Sequence, residues 1–141
     1  MSEFYRYFKE NMESMGLPAP ATLFGSLTSA VATATTILSQ IDKFGKNVTI
    51  REIVGAGSRL EQLAVLGACS AAFYVGAVIG SIAVATERTL GNGATISDVL
   101  FSARRHGLDR NWLFGCMQMY PGIYQKGVLG RRQYRYRSYM A

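Results

Sequence analysis

The chain has 141 residues, enough for one modest core and too few for two. Fifteen Lys and Arg against nine Asp and Glu leave a net charge of +6, so the expected partner is acidic: anionic lipid, nucleic acid or an acidic protein surface. Cys69 and Cys116 are too few for a disulfide framework, and His106 lacks a Cys or carboxylate cluster around it, so neither a metal nor another cofactor is expected.

The opening stretch MSEFYRYFKENMESMG carries acidic residues and no apolar run. It does not read as a signal peptide, and synthesis in the cytoplasm is the expectation. Phe4, Tyr7, Phe8, Met12 and Met15 recur at three- and four-residue steps. This predicts an amphipathic helix within residues 1–18, ended by Gly16 and Pro18.

Residues 19–41 are an uncharged segment with a polar stripe. On a single helix Thr22, Ser26, Ser29, Thr33, Thr36 and Gln40 share one face, beside Leu23, Leu27, Ala30, Ala34, Ile37 and Ile41. Neutral hydroxyls suit the lining of a water-filled passage. They also suit bonding back to carbonyls one turn earlier, with the stripe packed on another helix. Both readings stand at this point.

Residues 42–57 form a polar connector. Thr49-Ile50-Arg51-Glu52 has capping-box spacing, and Ser58-Arg59-Leu60-Glu61 repeats it at the start of a long helix over 58–86. Gly55-Ala56-Gly57 has no strand before it, so it reads as a hinge rather than a phosphate loop.

Within that second helix, residues 63–86 hold no charge. Wound as a helix they would run roughly 36 Å, against a hydrocarbon layer of about 30 Å. Ala68, Ala72, Gly76 and Gly80 recur every fourth residue and predict a seam where another backbone comes close. Hydropathy on an insertion scale is moderate, so the segment is able to insert without being forced to.

Gly45-Lys46-Asn47-Val48-Thr49-Ile50-Arg51-Glu52-Ile53-Val54 parallels Gly91-Asn92-Gly93-Ala94-Thr95-Ile96-Ser97-Asp98-Val99-Leu100, suggesting an apolar helix, glycine turn and capped helix used twice. Residues 95–120 then predict short helices. The first ends near His106 and Gly107. The second is capped by Asp109, with Trp112, Leu113, Cys116, Met117 and Tyr120 on one side. Residues 121–141 make a basic tail in which Arg131, Arg132, Arg135 and Arg137 alternate with Tyr134, Tyr136 and Tyr139. Such a tail suits single-stranded nucleic acid, an anionic membrane interface, or a solvated or partner-docked terminus.

From Glu87 onward there are nine basic against three acidic side chains, which for a hairpin inserted during synthesis would place both termini on the cytoplasmic side. No paired carboxylates, ordered Ser-His-Asp set or metal-ligand spacing supports an enzyme. His106 reads as a helix-end residue.

The expected architecture is a single all-α domain over 1–141, in which two long apolar helices form a hairpin with shorter amphipathic helices around it. A cytoplasmic start, moderate insertion tendency, a small-residue seam and a hydroxyl stripe suit a protein that is first soluble or chaperoned and later enters a bilayer. The run Ala72-Phe73-Tyr74-Val75-Gly76-Ala77-Val78-Ile79-Gly80, in a short basic chain, resembles the small glycine-zipper, pore-forming effectors of the bacterial type VI secretion system. The resemblance covers mainly the two apolar segments, roughly a third of the chain.

That resemblance implies carriage in an Hcp-type ring, secretion into a neighbouring cell, insertion in its inner membrane and ion leakage that collapses the membrane potential. A membrane-embedded immunity protein and a homo-oligomer are implied as partners, with nucleic acid set aside. Thr22, Ser26, Ser29, Thr33, Thr36 and Gln40 would face the conducting path, and Ala68, Ala72, Gly76 and Gly80 would form the seam. Arg131, Arg132, Tyr134, Arg135, Tyr136 and Arg137 would meet lipid or carrier. The alternatives are a resident subunit of a larger membrane complex and a soluble helical interaction module that binds an acidic partner through its basic tail.

Overall fold

A computed structural model of the protein describes residues 3–57, 59–86 and 96–120. The fold is all-α: α1 (Glu3–Ser14), α2 (Ala21–Phe24), α3 (Leu27–Phe44), α4 (Ile50–Gly55), a 3-10 turn (Glu61–Leu66), α5 (Ala71–Thr86), α6 (Ile96–Arg105) and α7 (Leu113–Met119). Thr49 and Ser70 form an isolated antiparallel bridge, and no strand occurs among the described residues. Helix α5 is the centre of the arrangement, packed against α1, α3, α6 and α7.

Helix α1 forms where expected and turns Tyr5, Phe8, Asn11 and Met12 inward. Tyr5 joins the buried face because its hydroxyl donates to the Ala19 carbonyl at 2.7 Å, while Phe4, Tyr7 and Met15 are only half-buried. The helix stops at Gly16, whose φ of 76° belongs to the left-handed region. Gly16 N–H bonds to Glu13 O and Leu17 N–H to Met12 O, which satisfies the last carbonyls, and Leu17 buries its side chain just beyond. The end of α6 repeats the device: Gly107 (φ 72°) is followed by buried Leu108, whose N–H reaches Ala103 O at 2.7 Å.

The expected pair of long apolar helices does not form. Over 19–41 the helix breaks at Gly25, where a Cβ would stand 2.6 Å from Ala21 O. Ser26 then starts α3 with a capping box: its Oγ accepts from Ser29 N–H at 3.1 Å, and Ser29 Oγ accepts from Ser26 N–H at 2.9 Å. Over 58–86, Ser58, the expected start, lies outside the described residues; residues 61–66 wind as a 3-10 turn that ends at Gly67 (φ 40°), and α5 starts at Ala71.

The link before α5 is held by the chain 20 or so residues upstream. Ile50 N–H donates to Cys69 O, Arg51 N–H to Gly67 O and Ala71 N–H to Val48 O, each at 2.9 Å. Buried amides and carbonyls need partners, and these bonds supply them in a geometry that a continuous helix could not keep. The Thr49–Glu52 capping box is present as the sequence predicts, with Glu52 N–H to Thr49 Oγ1 at 3.2 Å and Thr49 N–H to Glu52 Oε1 at 3.0 Å. The two halves of the suggested duplication both place an isoleucine, Ile50 and Ile96, first in a helix, but residues 87–95 of the second half lie outside the described residues.

At 1.5 Å per residue α5 is about 24 Å long. Among the described residues no helix is long and apolar enough to cross a membrane.

Candidate functional site

The feature that sets this fold apart is a helix without a charge held on every side by others. All of α5 except Phe73 and Thr86 is buried. Its residues are mostly Ala, Val, Ile and Gly, so its covering helices meet a nearly featureless apolar rod, and polar pins fix their places. Asn11 Nδ2 on α1 donates to Ser81 Oγ on α5 at 2.8 Å, a buried bond across that contact. Tyr74 of α5 donates to Pro18 O at 2.6 Å, and Tyr5 of α1 reaches Ala19 O beside it. Phe4, Phe8, Phe24 and Tyr74 form an aromatic file at centroid spacings of 5.6, 5.0 and 6.4 Å, joining α1 and α2 to α5.

The small residues expected to form a seam lie only partly on α5. Ala72, Gly76 and Gly80 are buried on the helix; Ala68 lies in the link before it and is exposed. At Gly76 a Cβ would stand 2.7 Å from Cys116 Sγ and 3.8 Å from Met117 Cε. The partner of the seam at Gly76 is therefore α7 of the same chain. Burial pushes the Cys116 thiol up to about 11, and Cys69 and Cys116 are both free.

The hydroxyl stripe is divided among local tasks. Thr22 lies on α2 and donates to Gln62 Oε1 at 2.6 Å. Ser26 and Ser29 cap α3, Thr33 is buried and donates to Leu23 O at 2.8 Å, and Thr36 donates to Ala32 O at 3.1 Å. Gln40 is half-buried near the helix end. The six do not line one helix face, because Gly25 and Ser26 separate Thr22 from the rest.

Sequence reasoning missed a groove of about 420 Å3 between the Lys46 loop, the start of α5 and α7. Phe73 and Tyr120 meet edge to face at 4.8 Å in it, and Trp112, at the start of α7, shares its wall. The lone tryptophan of the chain, next to Asn111, was the available signal. Leu113 and Met117 are buried and Trp112, Cys116 and Tyr120 half-buried, which is the face the periodicity predicts.

The expected Asp109 cap is not used: α7 begins at Leu113 with no side-chain cap at Trp112. The neighbouring Arg110 instead forms a forked pair with Asp42 at the end of α3, with Nε to Oδ1 at 3.0 Å and Nη2 to Oδ2 at 2.8 Å. Hydrogen bonding from Arg110 holds the Asp42 carboxyl below its ordinary range.

Arg131, Arg132, Tyr134, Arg135, Tyr136 and Arg137 lie outside the described residues. No group of three or more His, Cys, Asp and Glu able to hold a metal occurs among the described residues. No protein-family model, no curated protein and no solved structure matches the chain.

Proposed function

We propose that the protein is a membrane-inserting, pore-forming antibacterial effector whose folded form keeps its inserting helix hidden. The observation that carries this reading is α5: a charge-free helix, buried along nearly its whole length, sheathed by amphipathic helices of the same chain. A charge-free helix left uncovered is open to aggregation and to early entry into the producing cell's own membrane, and burial at the centre of a small domain guards against both.

Insertion in this proposal is a rearrangement. Helix α5 alone falls short of a hydrocarbon layer of about 30 Å, whereas winding 63–86 continuously gives roughly 36 Å. That requires Gly67 to leave its positive φ and the bonds from Val48, Ile50 and Arg51 to break. Joining α2 to α3 likewise requires the Ser26–Ser29 box to open, after which Thr22, Ser26, Ser29, Thr33, Thr36 and Gln40 fall on one face of a second span. The two spans then form the apolar hairpin, with Ala68, Ala72, Gly76 and Gly80 at their seam. The free hydroxyls face the ion path, and several copies assemble around it.

Delivery by an Hcp-type ring into a neighbouring cell and neutralisation by a membrane-embedded immunity protein belong to the same proposal, as does contact of the basic tail with lipid or carrier. The direct test is to express the chain in bacteria with and without a leader that sends it to the periplasm, following a potential-sensitive dye. Depolarisation and arrest only with the leader support the proposal; normal growth and potential with the protein present in the periplasm refute it.

A second reading, a helical interaction module for an acidic partner, draws on the same packing, since α5 already has protein around it. That reading expects a monodisperse protein that never partitions into vesicles.

A further inference from the structure

We propose that the groove between the Lys46 loop and α7 is where the folded protein takes hold of an anionic phospholipid at a bilayer surface, before any rearrangement. This rests on the membrane reading above and names the first ligand of that process.

The groove's chemistry is sorted by position. Lys46, Asn47 and Asn111 are exposed and supply an ammonium and two carboxamides, while Phe73 and Trp112 are half-buried and supply an aromatic wall. No carboxylate lines it among the described residues. An anionic headgroup would meet the cation and the amide N–H donors, and the first methylenes of an acyl chain would lie on the rings. Met119, 68 % exposed on α7, extends the apolar surface outward from the groove. The volume of about 420 Å3 lies in the range of sites that take one small ligand or one end of a larger one.

Charge selects the lipid. Lys46 supplies the cation at the groove itself, and the net charge of +6 over the whole chain favours approach to a negatively charged surface over a zwitterionic one. A peptide added as a strand fits less well, because no sheet edge occurs among the described residues.

Trp112 is the one tryptophan in the chain, so its emission reads the groove directly. The full chain is titrated with phosphatidylglycerol vesicles, phosphatidylcholine vesicles, inorganic phosphate and a poly-glutamate peptide. Phosphatidylglycerol is expected to shift the emission to the blue, brominated acyl chains to quench it, and the other three to leave it unchanged. Lys46→Glu, at an exposed loop position, is expected to weaken the response roughly ten-fold with an unaltered circular dichroism spectrum.

An equal response to phosphatidylcholine, to phosphate alone or to the peptide overturns the assignment, as does an unaffected Lys46→Glu variant. Dye leakage from the same vesicles separates the two proposals. A Trp112 response without leakage supports the groove and removes the pore, and leakage with silent Trp112 emission does the reverse.

Discussion

Gly76→Ala places one methyl group against Cys116 of α7. Its Cβ would stand 2.7 Å from Cys116 Sγ, against an optimal separation of about 3.5–4.0 Å, so α5 and α7 must part by about 1 Å or the sulfur must rotate away. Overpacking of this kind costs about 1–3 kcal/mol. Replacing glycine inside a helix gains about 1 kcal/mol in return. The net expectation is a loss of about 1 kcal/mol, a drop in Tm of about 3 °C for a chain of this size.

The background decides the cause. With Cys116→Ala the obstructing sulfur is gone, and the same Gly76→Ala change should then stabilise by about 0.5–1 kcal/mol, a coupling of roughly 2 kcal/mol between the sites. Urea unfolding followed by circular dichroism at unchanged slope measures all four corners of the cycle. Stabilisation by Gly76→Ala of equal size with and without Cys116 would refute the reasoning, since it would mean that α7 does not close the seam.

Ala68→Leu, at an exposed site off the helix, should shift stability by no more than about 0.5 kcal/mol in the same assay; a large loss would return Ala68 to the seam. Asn11→Ala removes the donor to buried Ser81 and should cost about 1–3 kcal/mol, with faster proteolysis of α1 than of α3 as the local signature. Because Arg110 lowers the Asp42 pKa on folding, the pair's contribution is complete above the ordinary value of 3.8 and is lost as pH falls through the lower folded value. The pair is largely exposed, so the loss should stay below about 1 kcal/mol, and Arg110→Met should abolish this part of the acid dependence while leaving stability at pH 7 within that same margin. With its thiol pushed up to about 11, Cys116 should react with a disulfide reagent at pH 8 at least about ten-fold more slowly in the folded protein than in urea.

Local signals were legible in the sequence because they depend on neighbours a turn away. The Thr49–Glu52 box, the stops at Gly16 and Gly107, the Leu113–Met117 face of α7 and the all-helical class all follow from spacing and from which residues tolerate positive φ. The break before α5 was not legible for the opposite reason: residues 61–70 leave the α-helical path because Ile50 and Arg51 bind the Cys69 and Gly67 carbonyls, whereas the break at Gly25 is local, set by Ala21 O and the Ser26–Ser29 box. Tertiary hydrogen bonds before α5 override a charge-free pattern that suits a single helix.

The candidate site shows the same division. A stripe of hydroxyls has one periodicity whether it faces water or bonds back to carbonyls, and in the folded chain Ser26, Ser29, Thr33 and Thr36 serve caps and carbonyls. Small residues at every fourth position predict a close approach, but spacing carries no information on which helix approaches, and at Gly76 the neighbour is α7. The groove joins residues near 46, 73 and 112, which meet because Val48 bonds to Ala71 at the start of α5 and α7 packs on α5.

Current across a planar bilayer containing anionic lipid tests the central proposition most directly. Purified protein added to one side should give discrete, step-like conductance once α5 leaves its sheath and copies assemble. A flat trace on bilayers to which the protein demonstrably binds would contradict it.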